Sequence, residues 1–272
     1  MKVLLTGHKG FIGRNMLKYL EDNTDWCVDT FDWDDGNIPS LMDQDWVIHI
    51  GAISSTTERD IEKVLRQNYD FTRQLFNSCK RFGVNLQYSS SASLYGMNTD
   101  FREDAPLDPI TPYAWSKYLC ERFHLTNQGG NTVHGFRYFN VYGDGEEDKG
   151  SQASPITQFR SQAKREGLLR LFENSENYKR DFICVTDICR IHVDFIKNVK
   201  ESGIFNVGTG VARSFQEVAD LITPNQFYIP MPENLKRSYQ EYTCSDNTKL
   251  ERVLGTQKWI TIEEFLNSVS RG

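Results

Sequence analysis

Short apolar runs alternate with helical periodicities along the first half of the chain. Residues 2–5 read as a strand, and Phe11, Ile12, Met16, Leu17 and Leu20 repeat at helical spacing over 11–20. Strands follow at 27–31 and 46–50. Ile61, Val64, Leu65, Phe71, Leu75, Phe76 and Cys79 predict one long helix that closes at Gly83. A strand at 86–89, a helix at 113–125 and a strand at 133–138 continue the alternation. This β-α-β order predicts an α/β fold, a doubly wound parallel sheet with helices on both faces, and it places ligands beyond the carboxyl ends of the strands. After Asn140 the pattern loosens. Helices are expected at 156–165, 187–197, 214–222 and 262–270, with strands at 168–172, 182–185 and 204–207.

Composition narrows the function classes without choosing one. The chain of 272 residues carries 31 basic and 37 acidic side chains, a net charge of -6, so nonspecific binding to nucleic acid or to an anionic membrane is not expected. Met1-Lys2 runs straight into Val3, and no apolar span is long enough for export or insertion, which predicts a cytoplasmic protein. The six cysteines form no C-x-x-C pair and are expected as reduced thiols. Five histidines without ligand spacing give no metal site.

Chemistry enters at the end of the first strand. Gly7-His-Lys-Gly10-Phe-Ile-Gly13 is a G-x-x-G-x-x-G turn that opens a helix. Glycines let the backbone turn sharply and approach a pyrophosphate, and the helix then offers free N–H groups to that anion. Three spaced glycines alone also describe a structural turn; between an amino-terminal strand and a helix they describe a dinucleotide site. Asp32, about twenty residues on at the end of the second strand, stands where an acid binds ribose hydroxyls. The resulting Rossmann-type domain is expected over 1–138, with 183–210 returning to it. Residues 139–182 and 211–272 would form a smaller, interleaved substrate-binding lobe.

Ser89-Ser-Ser91 ends a later strand, and Tyr113-x-x-x-Lys117 begins a helix, which puts both side chains on one helical face. A nearby ammonium favours the phenolate and makes a tyrosine a usable acid/base. Lys149, after Glu146-Glu-Asp148, reads from local chemistry alone as a solvated loop lysine.

The order of glycine turn, Gly51-Ala52, Ser91, Tyr113-x-x-x-Lys117 and Arg180-Asp-Phe-Ile-Cys-Val-Thr-Asp187 resembles the extended short-chain dehydrogenase/reductase superfamily of nucleotide-sugar enzymes. Within it the chain is most similar to the ADP-L-glycero-D-manno-heptose 6-epimerase family. The segments that carry this are Ser54-Ser-Thr-Thr-Glu58, Gly135-Phe-Arg-Tyr-Phe-Asn-Val-Tyr-Gly143, Lys149-Gly-Ser-Gln-Ala-Ser154, 171–182, 202–210, Ser214-Phe-Gln and Tyr239-Gln. The resemblance implies Tyr113 and Lys149 as two acid/bases, Lys117 as a nicotinamide-ribose contact and Ser91 as a partner of the reacting oxygen. It implies cofactor contacts from Gly7, Lys9, Gly10, Phe11, Ile12, Gly13, Asp32, Trp33, Ile50, Gly51, Ala52, Ile53, Ser54, Asn68 and Val141, beside Tyr113 and Lys117. A nucleotide-diphosphate sugar would meet Ser91, Asn140, Ser151, Gln158, Phe172, Glu173, Asn174, Ser175, Arg180 and Tyr239. A guanidinium such as that of Arg180 suits diphosphate oxygens.

The implied reaction inverts C6 of a heptose by hydride removal and return through one bound cofactor, in a homo-oligomer. That cofactor is NADP by resemblance, with Lys9 reaching the adenosine phosphate; Asp32 and a following loop without lysine or arginine argue for NAD. The chain departs from the family in four places. The stretch from Asp32 to Trp46 is far shorter, Gln158 replaces a histidine, Trp33 replaces an asparagine, and His8 and Lys9 replace small residues of the turn.

Overall fold

The computed structural model describes residues 1–36, 39–233 and 239–269. Its main sheet is built from β1 (Lys2–Thr6), β2 (Cys27–Phe31), β3 (Trp46–His49), β4 (Asn85–Ser91), β5 (Val133–Tyr138) and β9 (Gly203–Val207). All six run parallel in the order β2-β1-β3-β4-β5-β9. Alternate residues of β1 show why the sheet is buried on both sides: Leu4 joins Val47, Leu75 and Leu86 in one core, while Val3 and Leu5 join Met16, Ile48 and Val193 in the other. Helices α1 (Phe11–Asn23) and α6 (Val185–Asn198) pack on the second face, and α3 (Phe71–Phe82) with α4 (Pro112–Thr126) on the first. The doubly wound parallel architecture expected from the pattern is the one observed.

The long helix expected to end at Gly83 is not uniform. It runs as α2 (Ile61–Val64), a wider π stretch over Leu65–Asp70, and α3, and it closes on Gly83 at φ 71. Among the described residues only a 3-10 turn, Trp33–Asp35, separates β2 from β3 as a regular element, and β2 is one edge of the sheet, β9 the other. The chain reverses its order between β1 and β3, and the crevice beyond their carboxyl ends is where such sheets take ligands. Ile50 lies just past β3 and starts the loop that carries Gly51 to Ser54.

Beyond β5 the chain leaves this sheet. The strands β6 (Asn140–Tyr142), β8 (Lys179–Cys184) and β10 (Ala212–Ser214) form a three-stranded sheet, and β7 (Leu169–Phe172) pairs with β11 (Gln226–Ile229). Helices α5 (Pro155–Glu166), α7 (Phe215–Ile222) and α9 (Ile262–Val269) cover them, and α8 (Thr248–Leu254) packs beside β9. Between these parts α6 and β9 return to the main sheet. The short strands β6, β10 and β11 and the helix α8 were not expected from the pattern, and Ser270 lies outside the described residues.

All four deeply buried cysteines, Cys79, Cys120, Cys184 and Cys189, are free thiols, as are the half-buried Cys244 and exposed Cys27. No described helix is long and apolar enough to cross a membrane.

Candidate active site

The glycine turn closes because its glycines have no side chain. A Cβ on Gly7, at φ 79, would lie 2.4 Å from the Gly51 backbone, and one on Gly13 would lie 1.9 Å from the Gly7 carbonyl oxygen. Gly10 is the N-cap of α1 and offers no side-chain cap, so the first turn of the helix keeps its amides for another acceptor. Beside it a pocket of about 130 Å³ is bounded by Gly7, Asp32, Trp33, Gly51, Ala52 and Ile53. The residues present therefore fit the pyrophosphate and adenosine of a dinucleotide. Ile12 and Val141 pack together against one core and Ile50 against another, while Ser54 is exposed on its loop. Asn68 acts at one remove: it accepts from Ile53 N–H at 2.8 Å, donates to Ile53 C=O at 2.9 Å and reaches the Ser116 hydroxyl at 3.0 Å, which fixes the Gly51–Ile53 loop.

Asp32 accepts from the backbone N–H groups of Trp33 (2.8 Å) and Lys9 (3.2 Å). The Lys9 ammonium lies 2.6 Å from Asp35, and that contact, with the Asp32 N–H, holds the Asp35 carboxyl below its ordinary range.

At the carboxyl end of β4 the three serines divide their work. Lys117 Nζ donates to Ser89 O (2.8 Å) and Ser89 Oγ (3.1 Å), Ser90 donates to Glu121 (2.6 Å), and the Ser91 hydroxyl accepts from Ser93 N–H (3.1 Å) beside the Tyr113 phenol. Thr111 caps α4 through the Ala114 N–H and Pro112 opens it, so Tyr113 and Lys117 inherit their places from a well-started helix. Burial lowers Lys117 to about 8 and pushes the Tyr113 phenol up from its ordinary value, with the Ser91 hydrogen bond opposing. The ammonium lies 5.9 Å from the Tyr113 ring centroid and turns to Ser89, so the phenolate-favouring contact expected from the spacing is not met here. Directly below, Arg137 grips Glu121 with bonds of 2.9 and 2.7 Å and donates to the Tyr95 hydroxyl.

Lys149 sits in a 3-10 segment, Glu147–Gln152, that bends at Gly150. Its Nζ is 3.6 Å from Glu146 and 5.4 Å from the Phe11 ring centroid, which places it against the first turn of α1 and not in contact with Tyr113. Glu146 is fully buried and accepts from Ser154 N–H (2.7 Å), Ser154 Oγ (2.6 Å) and Thr157 Oγ1 (2.7 Å). Arg14 and Asn15 of α1 hold the same loop through Gly145 O, Asp148 and Asp144 O.

A larger cavity of about 700 Å³ opens between α5, β7 and β11. Ser151, Gln158, Phe172, Ser175 and Tyr239 line it; Asn140, Glu173, Asn174 and Arg180 do not. Asn140 binds Asp181 O and Thr243, and Asn174 holds a left-handed turn at φ 61 beside the exposed Glu173. Arg180 lies behind the wall, its guanidinium 5.4 Å from the ring centroids of Phe215 and Tyr239, donating to Lys179 O and Gln240 O. Among the described residues it has no ion pair; its neighbour Asp181 is instead satisfied by Thr209, Gly210 and Ser245. Burial lowers the Arg180 guanidinium. Sequence reasoning missed Gln162 and Arg165, which follow Gln158 on one face of α5 at i+4 and i+7, and Arg170 on β7. Among the described residues no three His, Cys, Asp or Glu side chains converge as metal ligands.

Residues 3–208 match the model of the NAD dependent epimerase/dehydratase family. Among solved structures, the chain resembles ADP-L-glycero-D-manno-heptose-6-epimerase of Helicobacter pylori (24% identity, TM-score 0.87, 99% of this chain and 95% of that one). It also resembles UDP-N-acetylglucosamine 4-epimerase of Methanobrevibacter ruminantium in complex with UDP-N-acetylmuramic acid (22%, 0.83, 100% and 99%). A third likeness is to RMD of Pseudomonas aeruginosa complexed with NADPH (22%, 0.80, 100% and 99%). At these identities the three share its fold.

Proposed function

The chain belongs to the NAD dependent epimerase/dehydratase family, and from that premise we propose that it inverts one carbon of a nucleotide-diphosphate sugar, with C6 of ADP-glycero-manno-heptose as the first substrate to test. The observation that carries this reading is the Ser91-Tyr113-Lys117 group at the carboxyl end of β4, on the same edge of the sheet as the glycine turn.

A nicotinamide ring bound there would supply reversible oxidation of the sugar carbon. The remaining work falls to side chains. Tyr113 in its phenolate form, which burial disfavours, takes the proton of the sugar hydroxyl as hydride leaves its carbon, and Ser91 orients that oxygen. Lys117, pinned to Ser89, fixes the cofactor ribose. Lys149 is the second acid/base, serving the face that Tyr113 does not reach. The cavity of Ser151, Gln158, Phe172, Ser175 and Tyr239 holds the nucleotide, and Arg180, without an acidic partner among the described residues, takes the diphosphate by turning from Lys179 O and Gln240 O past the Phe215 and Tyr239 wall.

A second reading is inversion at another sugar carbon, supported by the 4-epimerase likeness. A dehydratase is disfavoured because Ala92 and Ser93 follow Ser91, where elimination would need an acid. The test is incubation of the purified protein with ADP-glycero-manno-heptose, UDP-glucose and UDP-N-acetylglucosamine, followed by NMR of the sugar protons. Inversion at C6 of the ADP-heptose alone is the expected result. Inversion of a UDP-sugar at C4 would move the assignment to the second reading. No turnover of any sugar by protein that binds the dinucleotide would leave a non-catalytic binding protein.

A further inference from the structure

NAD and NADP differ by one phosphate on the adenosine ribose, and the inference drawn here rests on the reading of the glycine turn as a nicotinamide dinucleotide site. In a doubly wound sheet that ribose lies at the carboxyl end of the second strand, here Asp32. Lys9, in the glycine turn, is the cation that the structure places against this position, and it is engaged. Its Nζ lies 2.6 Å from Asp35 Oδ1, the other Asp35 oxygen accepts from Asp32 N–H at 2.6 Å, and Asp32 Oδ2 accepts from Lys9 N–H at 3.2 Å. One lysine and two carboxylates thus contact one another at the mouth of the adenosine pocket.

A phosphate monoester carries roughly −1.5 to −2 charge at neutral pH. To reach Lys9 it must share the ammonium with Asp35 or displace it, and in either case lie beside both carboxylates. A ribose with two free hydroxyls meets the reverse situation, because Asp32 can accept from them. We infer that Asp35, by occupying Lys9, sets the cofactor preference toward NAD, against the NADP that the family resemblance implies.

Trp33 borders the same pocket and is 41% exposed, so protein fluorescence can report occupancy without turnover. The experiment measures Kd for NAD and NADP on the full chain freed of dinucleotide, for wild type, Asp35→Asn, Lys9→Ala and the double variant. Wild type should bind NAD more tightly than NADP. Asp35→Asn should tighten NADP about tenfold, the scale of removing one charge a few ångströms from a phosphate in water, and leave NAD within about threefold. In the Lys9→Ala background the same substitution should give a gain at least about threefold smaller, the coupling expected of residues in contact. Asp35→Ser, which keeps an acceptor for the Asp32 N–H, is run beside Asp35→Asn and should tighten NADP likewise. Tighter binding of NADP by wild type, an unchanged ratio in both Asp35 variants, or an equal gain with and without Lys9 would each overturn the inference. Binding of neither dinucleotide by wild type would overturn the cofactor reading itself.

Discussion

The floor and the rim of the candidate site are held in different ways. The floor, with Ser91, Tyr113 and Lys117, rests on β4 and on the first turns of α4, and a buried Arg137–Glu121 pair lies directly beneath it. The rim, with Lys149, is a bent 3-10 segment tied down through one buried carboxylate, Glu146, and by two side chains of α1. Tyr113 and Lys117 take their positions from a regular helix packed on the sheet. Lys149 lies on a short irregular segment that side chains hold in place, and is correspondingly easier to displace.

The largest expected effect tests whether floor and rim share the chemistry. Tyr113→Phe should lower epimerisation by about 10² to 10⁴, the usual loss of a general acid/base. Lys149→Met should cost at least about 10² on the same scale, with dinucleotide binding and thermal midpoint retained in both. Near wild-type turnover in Lys149→Met would return that lysine to a loop role and leave the floor alone with the proton transfers.

Next in size is a test of the support beneath the floor. Arg137→Met leaves Glu121 buried with Ser90 as its remaining hydrogen-bond donor, and breaking such a pair costs about 3–5 kcal/mol. Urea unfolding should show this as a lower midpoint, and a cost under about 1 kcal/mol, the range of exposed pairs, would mean that water reaches the site.

The rim's tie should be weaker. Glu146→Gln turns an acceptor-only group into one that presents an amide to donors already aimed at it, from Ser154 N–H and the hydroxyls of Ser154 and Thr157. A loss of about 1–3 kcal/mol is expected, together with a fall in kcat larger than any change in KM if the tie positions Lys149. A change confined to stability would show that the rim is held without Glu146 mattering to the chemistry.

Much of the floor was legible beforehand because its signals are local. Strands buried on both faces read as apolar runs, and Tyr113 with Lys117 is a spacing within one helix. The family resemblance added Lys149, but its seat against Phe11 and Glu146 depends on contacts that no spacing encodes. Strands of three or four residues, such as β6, β10 and β11, are too short to display alternation. The polar face of α5, Gln158-Gln162-Arg165, reads as a solvent face until β7 and β11 are seen to build a cavity against it. The π stretch around Asn68 adds a residue to a turn without breaking the apolar rhythm. Lys9 and Asp35 meet across 26 positions, so their contact is tertiary information.

The smallest expected effect sharpens the comparison through pH. Lys117 is buried and lowered from 10.5 to about 8 in the folded protein. Between those values the unfolded chain binds the extra proton, so the folded state gains stability as pH rises through this window, and below about 8 the desolvation cost is constant. Lys117→Met removes the group and with it this slope. Unfolding free energies of the two proteins should therefore converge or cross between pH 8 and 10, the wild type gaining about 1 kcal/mol per pH unit relative to the variant. The cysteines and tyrosines that titrate in the same range are common to both chains and cancel in the difference. Parallel curves for wild type and Lys117→Met would mean that the ammonium is hydrated, and that the floor is no more sheltered than the rim.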